Sequence, residues 1–230
     1  MIKKKIRIFH GSEKVIESPS LALGKKTNDY GQGFYCTEDK ELAKEWASRH
    51  QNNGFCNEYE FSLEGLKILN LNDGSFTVLH WLALLLKNRD FGVSNDTAKN
   101  VRDFILGNYL PNLRGVDVII GYRADDSYFD FAKAFLNNSF PLSELEWALK
   151  NGNLGEQVAL VSKKAFKNLR FKSAESVSAK TYYPRMAAKE RKAKKDYFSL
   201  SERPFDKNEI YAIDIIRNEM TEYVPLISKK

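Results

Sequence analysis

Three short stretches of this sequence combine residues able to hold a polar ligand. The first is His10-Gly11-Ser12. Ile6, Ile8 and His10 alternate with Arg7 and Phe9, so the imidazole shares the apolar side of a strand. It stands at the strand end, where a cleft can open. Gly11 lets a ligand approach its N–H and C=O closely. The second stretch is Gly31-Gln32-Gly33-Phe34-Tyr35. Its glycines allow close backbone approach, and the Tyr35 ring could stack on a flat ligand while offering a hydroxyl. A strand follows these glycines, whereas a Rossmann fingerprint needs a helix start. The third is Gly155-Glu156-Gln157, entering an apolar strand. Glu156 and Gln157 have opposite parity, so only one of them faces a given cleft. Asp125 and Asp126, after another apolar strand, could bind a ribose or cap a helix. No set of converging ligands predicts a metal site. Each stretch alone is also explained structurally, as a core-edge histidine, a glycine turn, a solvated strand start and a helix cap. Cys36 could pair with His10 as a nucleophile. It leaves any cleft that Tyr35 lines, and reads better as a small core residue.

The elements that must position these residues follow from periodicity and punctuation. Strands are predicted at 6–10, 34–36, 58–61, 66–69, 116–120, 157–161 and 170–171. Thr37 reads as a helix cap, with Glu38, Asp39 and Glu41 at the positive end of the helix that follows. Leu42, Ala43, Trp46 and Ala47 give that helix its apolar face. Further helices are predicted at 76–87, 96–106, 126–150 with a break at 137–141, 162–169, from Pro184 onward, and 206–220. This gives a main domain over 1–176 and a basic helical extension over 177–230.

Composition bounds the function. The chain has 230 residues, 43% of them hydrophobic, which suits a buried core rather than disorder. Its net charge of +6 permits anionic partners without requiring them. Much of the excess sits in Arg185, Lys189, Arg191, Lys192, Lys194 and Lys195, against Glu190 alone. Two cysteines cannot build a disulfide framework. No signal-peptide core follows the basic start, and the apolar run 78–86 is too short to span a bilayer. A cytoplasmic protein away from membranes is expected.

The segments I-F-H-G-S at 8–12, D-Y-G-Q-G-F-Y-C-T at 29–37 and A-K-E-W-A at 43–47, with V-D-V-I-I-G-Y-R-A-D-D at 116–126 and G-E-Q-V-A-L-V-S-K-K-A-F-K-N-L-R-F at 155–171, together resemble a bacterial family of domains of unknown function. That family is similar to the ADP-ribosyltransferase superfamily, in its His-Tyr-Glu or His-Tyr-Gln branch. The resemblance implies an α+β fold with a split β core of two small sheets and flanking helices, holding NAD as substrate. It implies that His10 bonds a ribose hydroxyl, that the Gly11 backbone holds the nicotinamide carboxamide, and that Tyr35 stacks on nicotinamide. Ser12 and Gly33 would line the same cofactor site. Gln157 matches the third motif position, with Glu156 beside it. Since an amide cannot carry the charge, Asp125 or Asp126 would supply a carboxylate. Relatives resemble toxins encoded beside a small neutralising protein, so such a partner and a macromolecular acceptor, protein or nucleic acid, are expected. Two rival readings are an NAD or ADP-ribose binding module without turnover, and a nucleic-acid binder using the basic helix at 185–195.

Overall fold

The computed structural model describes residues 5–93, 95–124, 126–151 and 155–221. Among them are seven strands and eight α-helices, an α+β arrangement with two small sheets. In chain order these are β1 (Lys5–Ser12), β2 (Phe34–Cys36), α1 (Lys40–Ala47), β3 (Gly54–Ser62), β4 (Ile68–Asn70), α2 (Val78–Asn88), α3 (Asp96–Tyr109), β5 (Val118–Tyr122), α4 (Asp126–Leu136), α5 (Leu142–Asn151), β6 (Glu156–Leu160), α6 (Lys163–Lys167), β7 (Leu169–Val177), α7 (Ala179–Ser201) and α8 (Ala212–Arg217).

The chain forms two compact units and crosses between them several times. The first unit comprises residues 1–70, 113–123 and 155–193 and holds both sheets. One sheet has the antiparallel order β1-β3-β7; the other has the order β2-β6-β5-β4, with β4 parallel to β5. A two-bond bridge joins the sheets: Phe9 N–H donates to Thr37 O at 2.7 Å, and Thr37 N–H donates to Phe9 O at 2.9 Å. Ile6, Ile8, Tyr59 and Phe61 of one sheet meet Phe34, Cys36, Val118, Val158 and Leu160 of the other in a shared core. On the opposite face of β1, Phe9 packs with Cys56, Val177 and the Ala43 and Ala47 methyls of α1.

The second unit, residues 71–112, 124–154 and 194–230, is helical over its described residues. Leu79, Trp81, Leu82, Leu84 and Leu85 of α2 are all but fully buried, because this helix is apolar nearly all round. Trp81 meets Tyr128 edge-on with ring centroids 4.2 Å apart. The Tyr109 hydroxyl donates to the Met220 carbonyl.

Three local expectations need correction. Thr37 does not cap α1. Its hydroxyl accepts from Asp39 N at 3.1 Å, and Asp39 takes the cap by accepting from Glu41 N and Leu42 N. Pro184 lies inside α7 and not at its start, because the turns before it are already helical; the ring forfeits one backbone donor without forcing φ out of the helical range. The helix predicted over 206–220 shortens to α8. The Asp206 carboxylate accepts from Asn208 N, holding a turn there, and the backbone N–H of Tyr211 donates to the Asp214 carboxylate at the true start.

Candidate functional site

The Phe9–Thr37 bridge marks the point where β1 and β2 stop pairing. Peptide groups alternate direction along a strand. Phe9 directs its N–H and C=O at β2, so Gly11, two residues on, turns its own pair to the same side. By the same alternation Tyr35 turns its backbone toward β1. A continued ladder would join Gly11 to Tyr35. The His10 imidazole intervenes instead: its Nδ1–H donates to the Tyr35 carbonyl at 2.7 Å. The ring lies against Phe34, with centroids 4.4 Å apart. The imidazole is thus a wedge at the mouth of a split between two strands.

Burial holds the His10 pKa below the usual 6.5, and the Tyr35 carbonyl offsets this only in part. The ring is therefore neutral at pH 7. With a carbonyl fixing the proton on Nδ1, Nε2 is left as an acceptor.

Tyr35 and Gln157 lie on the outer face of their sheet, away from the shared core. Tyr35 pairs with Ala159, and Gln157 is two residues along β6 on that same side. Both are engaged by the loop preceding β2. The Tyr35 hydroxyl donates to Gly31 O at 2.7 Å and accepts from Tyr30 N at 3.0 Å. Gly31 has φ of 81°, a conformation that favours glycine. The Tyr30 hydroxyl donates to Tyr122 O at 2.6 Å. Gln157 is 3% exposed, and its Nε2 donates to Asp29 Oδ2 at 3.0 Å and to Tyr122 O at 3.3 Å. Glu156 is exposed at the start of β6 and has the parity of the core-facing Val158. Within this sheet Glu156 thus takes the core side, and the Tyr35 and Gln157 side chains the outer side.

Residues 6–171 match a family described as protein of unknown function, DUF3990. The chain belongs to the DUF3990 family. No curated protein and no solved structure matches it.

Within this DUF3990 domain, Gly11 has a packing reason as well as its backbone direction. A methyl there would lie 1.9 Å from Ala43 O and 2.6 Å from Ala47 N, so α1 sits directly on β1. Gly155 is similarly constrained, with φ of 75° and Leu42 against it. Gly33 abuts the Leu160 carbonyl. Ser12 accepts from Asn57 Nδ2 at 2.9 Å and donates to Lys14 O at 2.7 Å, holding the turn after β1. Asp125 lies outside the described residues. Asp126 begins α4, and its side chain is likewise outside them.

Three residues of the DUF3990 domain were missed in sequence as parts of this region. Asn57 is fully buried, pairs with His10 in register, and ties Ile16 N, His10 O, Ser12 Oγ and Lys14 O with one amide. Its parity is the signal that marks it: Asn57 continues the row of the core residues Tyr59 and Phe61 with a polar side chain. Asp29 lies in a Gly- and Asn-rich loop that gives no hint of burial. Trp46, expected only on the apolar face of α1, abuts Gly11 and carries the Arg123 guanidinium 5.6 Å from its ring centroid. Its buried indole N–H has no hydrogen-bond partner among the described residues.

The basic start of α7 is partly spent within the domain. Arg185 meets Glu41 at 3.1 Å and Lys189 meets Glu45 at 2.8 Å. Cys36 is fully buried, and burial, reinforced by Cys56, pushes its thiol well above the usual range, so it is no nucleophile for His10. Among the described residues no group of three His, Cys, Asp or Glu side chains could hold a metal, and no helix is long and apolar enough to cross a membrane.

Proposed function

We propose that this DUF3990 domain binds NAD at the split between β1 and β2 and transfers its ADP-ribose to a macromolecule. The observation that carries the reading is the His10 wedge. It keeps Gly11 from pairing with β2, so a backbone donor and acceptor face the opening together. Such a pair complements a primary carboxamide, which offers one donor and one acceptor in return. His10 Nε2 then suits a ribose hydroxyl donor. The resemblance to ADP-ribosyltransferases supplies the rest of the assignment.

In the reaction, the bond from ribose C1′ to the nicotinamide nitrogen breaks and its electron pair leaves with nicotinamide. The acceptor nucleophile bonds to C1′ and loses its proton. Positive charge develops on the ribose, and a carboxylate stabilises it. Gln157 cannot carry that charge. Glu156 points to the opposite side of β6 from Gln157, so a carboxylate from Asp125 or Asp126 is the one assigned here.

Incubation with labelled NAD and a cell extract tests this reading. Labelled macromolecule and free nicotinamide are expected, and properly folded protein yielding neither sinks it. His10→Ala should weaken NAD binding by about tenfold or more. The His10 pKa is lowered on folding, so binding through a neutral Nε2 holds at pH 7 and fades as pH falls below 6.5 through the lowered value. An NAD titration between pH 7.5 and 5 reads this. Binding without turnover is the second reading, favoured by the engagement of Gln157 with Asp29. Calorimetric binding with no nicotinamide release distinguishes it.

A further inference from the structure

We propose that Asp29 is a positioning residue that fixes the Gln157 side chain as a hydrogen-bond acceptor for a hydroxyl of the bound ligand. The argument begins with the inventory of a primary amide: two protons on nitrogen and a carbonyl oxygen that only accepts. Both acceptors that Gln157 meets lie at its nitrogen. Asp29 Oδ2 takes one proton at 3.0 Å and the Tyr122 carbonyl the other at 3.3 Å. Rotating the amide by half a turn would set Oε1 against a carboxylate and a carbonyl, three acceptors with no proton among them. In a buried site that arrangement costs far more than the two bonds it replaces. The amide is locked, and Oε1 is left to accept.

Asp29 can do this because its loop is itself held. It is 5% exposed. Gly31 N–H closes a turn onto Asn28 O at 2.9 Å, and the Tyr35 hydroxyl bonds both Tyr30 N and Gly31 O. The pairing also explains why position 157 carries an amide here: a glutamate would place a second carboxylate against Asp29 in the same buried space. The chemical consequence is a selectivity. An acceptor oxygen with no competing proton favours a donor hydroxyl and disfavours a phosphate or carbonyl oxygen.

The identity of the hydroxyl rests on the NAD reading; the locked amide does not. Two measurements separate them. Hydrogen exchange of the Gln157 side-chain protons, assigned by their loss in Gln157→Ala, reads the lock. Relative affinity for NAD and for its analogues lacking one nicotinamide-ribose hydroxyl reads the selectivity. Wild-type protons should exchange about 100-fold more slowly than those of an exposed glutamine, and deleting one hydroxyl should weaken binding about tenfold. In Asp29→Ala the protection should vanish and the two ligands should bind within about twofold. Asp29→Asn, which still offers an acceptor oxygen, should restore both. Fast exchange in the wild type overturns the proposal, as does a folded Asp29→Ala variant that keeps its hydroxyl preference. Should Asp29→Ala not fold, the near-isosteric Asp29→Leu, which offers no acceptor, takes its place with the same expected losses. Failure of NAD to bind the wild type removes the nucleotide reading, and the exchange measurement still decides the role of Asp29.

Discussion

Two polar regions of the sheet-bearing unit are built on opposite principles. Around the β1–β2 split, the polar side chains that set the geometry are buried or half-buried and mostly uncharged: His10, Asn57, Tyr35 and Gln157 each bond a backbone group or one carboxylate. Along α1, the polar side chains are charged and of mixed exposure: Lys40 and Glu41 are exposed, Lys44 and Glu45 buried. Arg185 and Lys189, one turn apart on α7, meet Glu41 and Glu45, one turn apart on α1. Lys40 and Lys44 share Glu175 of β7 at 2.7 and 3.0 Å. The first region spends stability to fix orientation, since a buried polar group is costly unless its bonds are complete. The second adds little energy per pair in high dielectric. Position at the split is therefore set by a few irreplaceable contacts, and the α1 surface by many replaceable ones.

Substitutions should separate the two regions by size of effect. The largest is expected from Gly11→Ala. The added methyl meets backbone atoms of α1 at 1.9 and 2.6 Å, which cannot rotate away. A loss of about 3 kcal/mol or more in urea unfolding is expected, or failure to fold. A near-neutral result would mean that α1 does not press on β1 as described. Asn57→Ala comes next, at about 2–3 kcal/mol, because it strands the Ile16 N–H in a region shielded from water and frees the turn after His10. Chemical denaturation reads the energy, and the His10 titration by NMR should shift with it. Lys189→Ala is expected to cost more than Arg185→Ala, since Glu45 is nearly buried and Glu41 is exposed. Arg185→Ala should stay at or below about 1 kcal/mol and shrink in high salt, whereas Lys189→Ala takes a partner from the buried Glu45 carboxylate and should cost about 2 kcal/mol. Equal, salt-independent losses at the two positions would erase the contrast drawn between the regions.

Much of the scaffold was legible in the chain. Alternation located β1, β2 and the core of β6, and the break at 137–141 separated α4 from α5. The longer strands β3 and β7 were read as fragments, because Gly54 and Asn57 in the first and Lys172, Ser173, Glu175 and Ser176 in the second break the apolar alternation. The interleaving of the two units was not legible either. Segments 71–112 and 124–154 return to the helical unit only through contacts that have no local signature.

Parity is a property of neighbouring residues, and so the chain alone determined that Tyr35 and Cys36 part company across β2, and that Glu156 and Gln157 part across β6. What each side chain meets on its own face was decided only on folding. Asp29 reaches Gln157 across 128 positions, Glu45 claims Lys189 across 144, and Gly11 finds the backbone of α1 where a ligand alone had been expected. Partners so distant are selected by packing and by the need to complete every buried hydrogen bond, and neither constraint is written in local spacing.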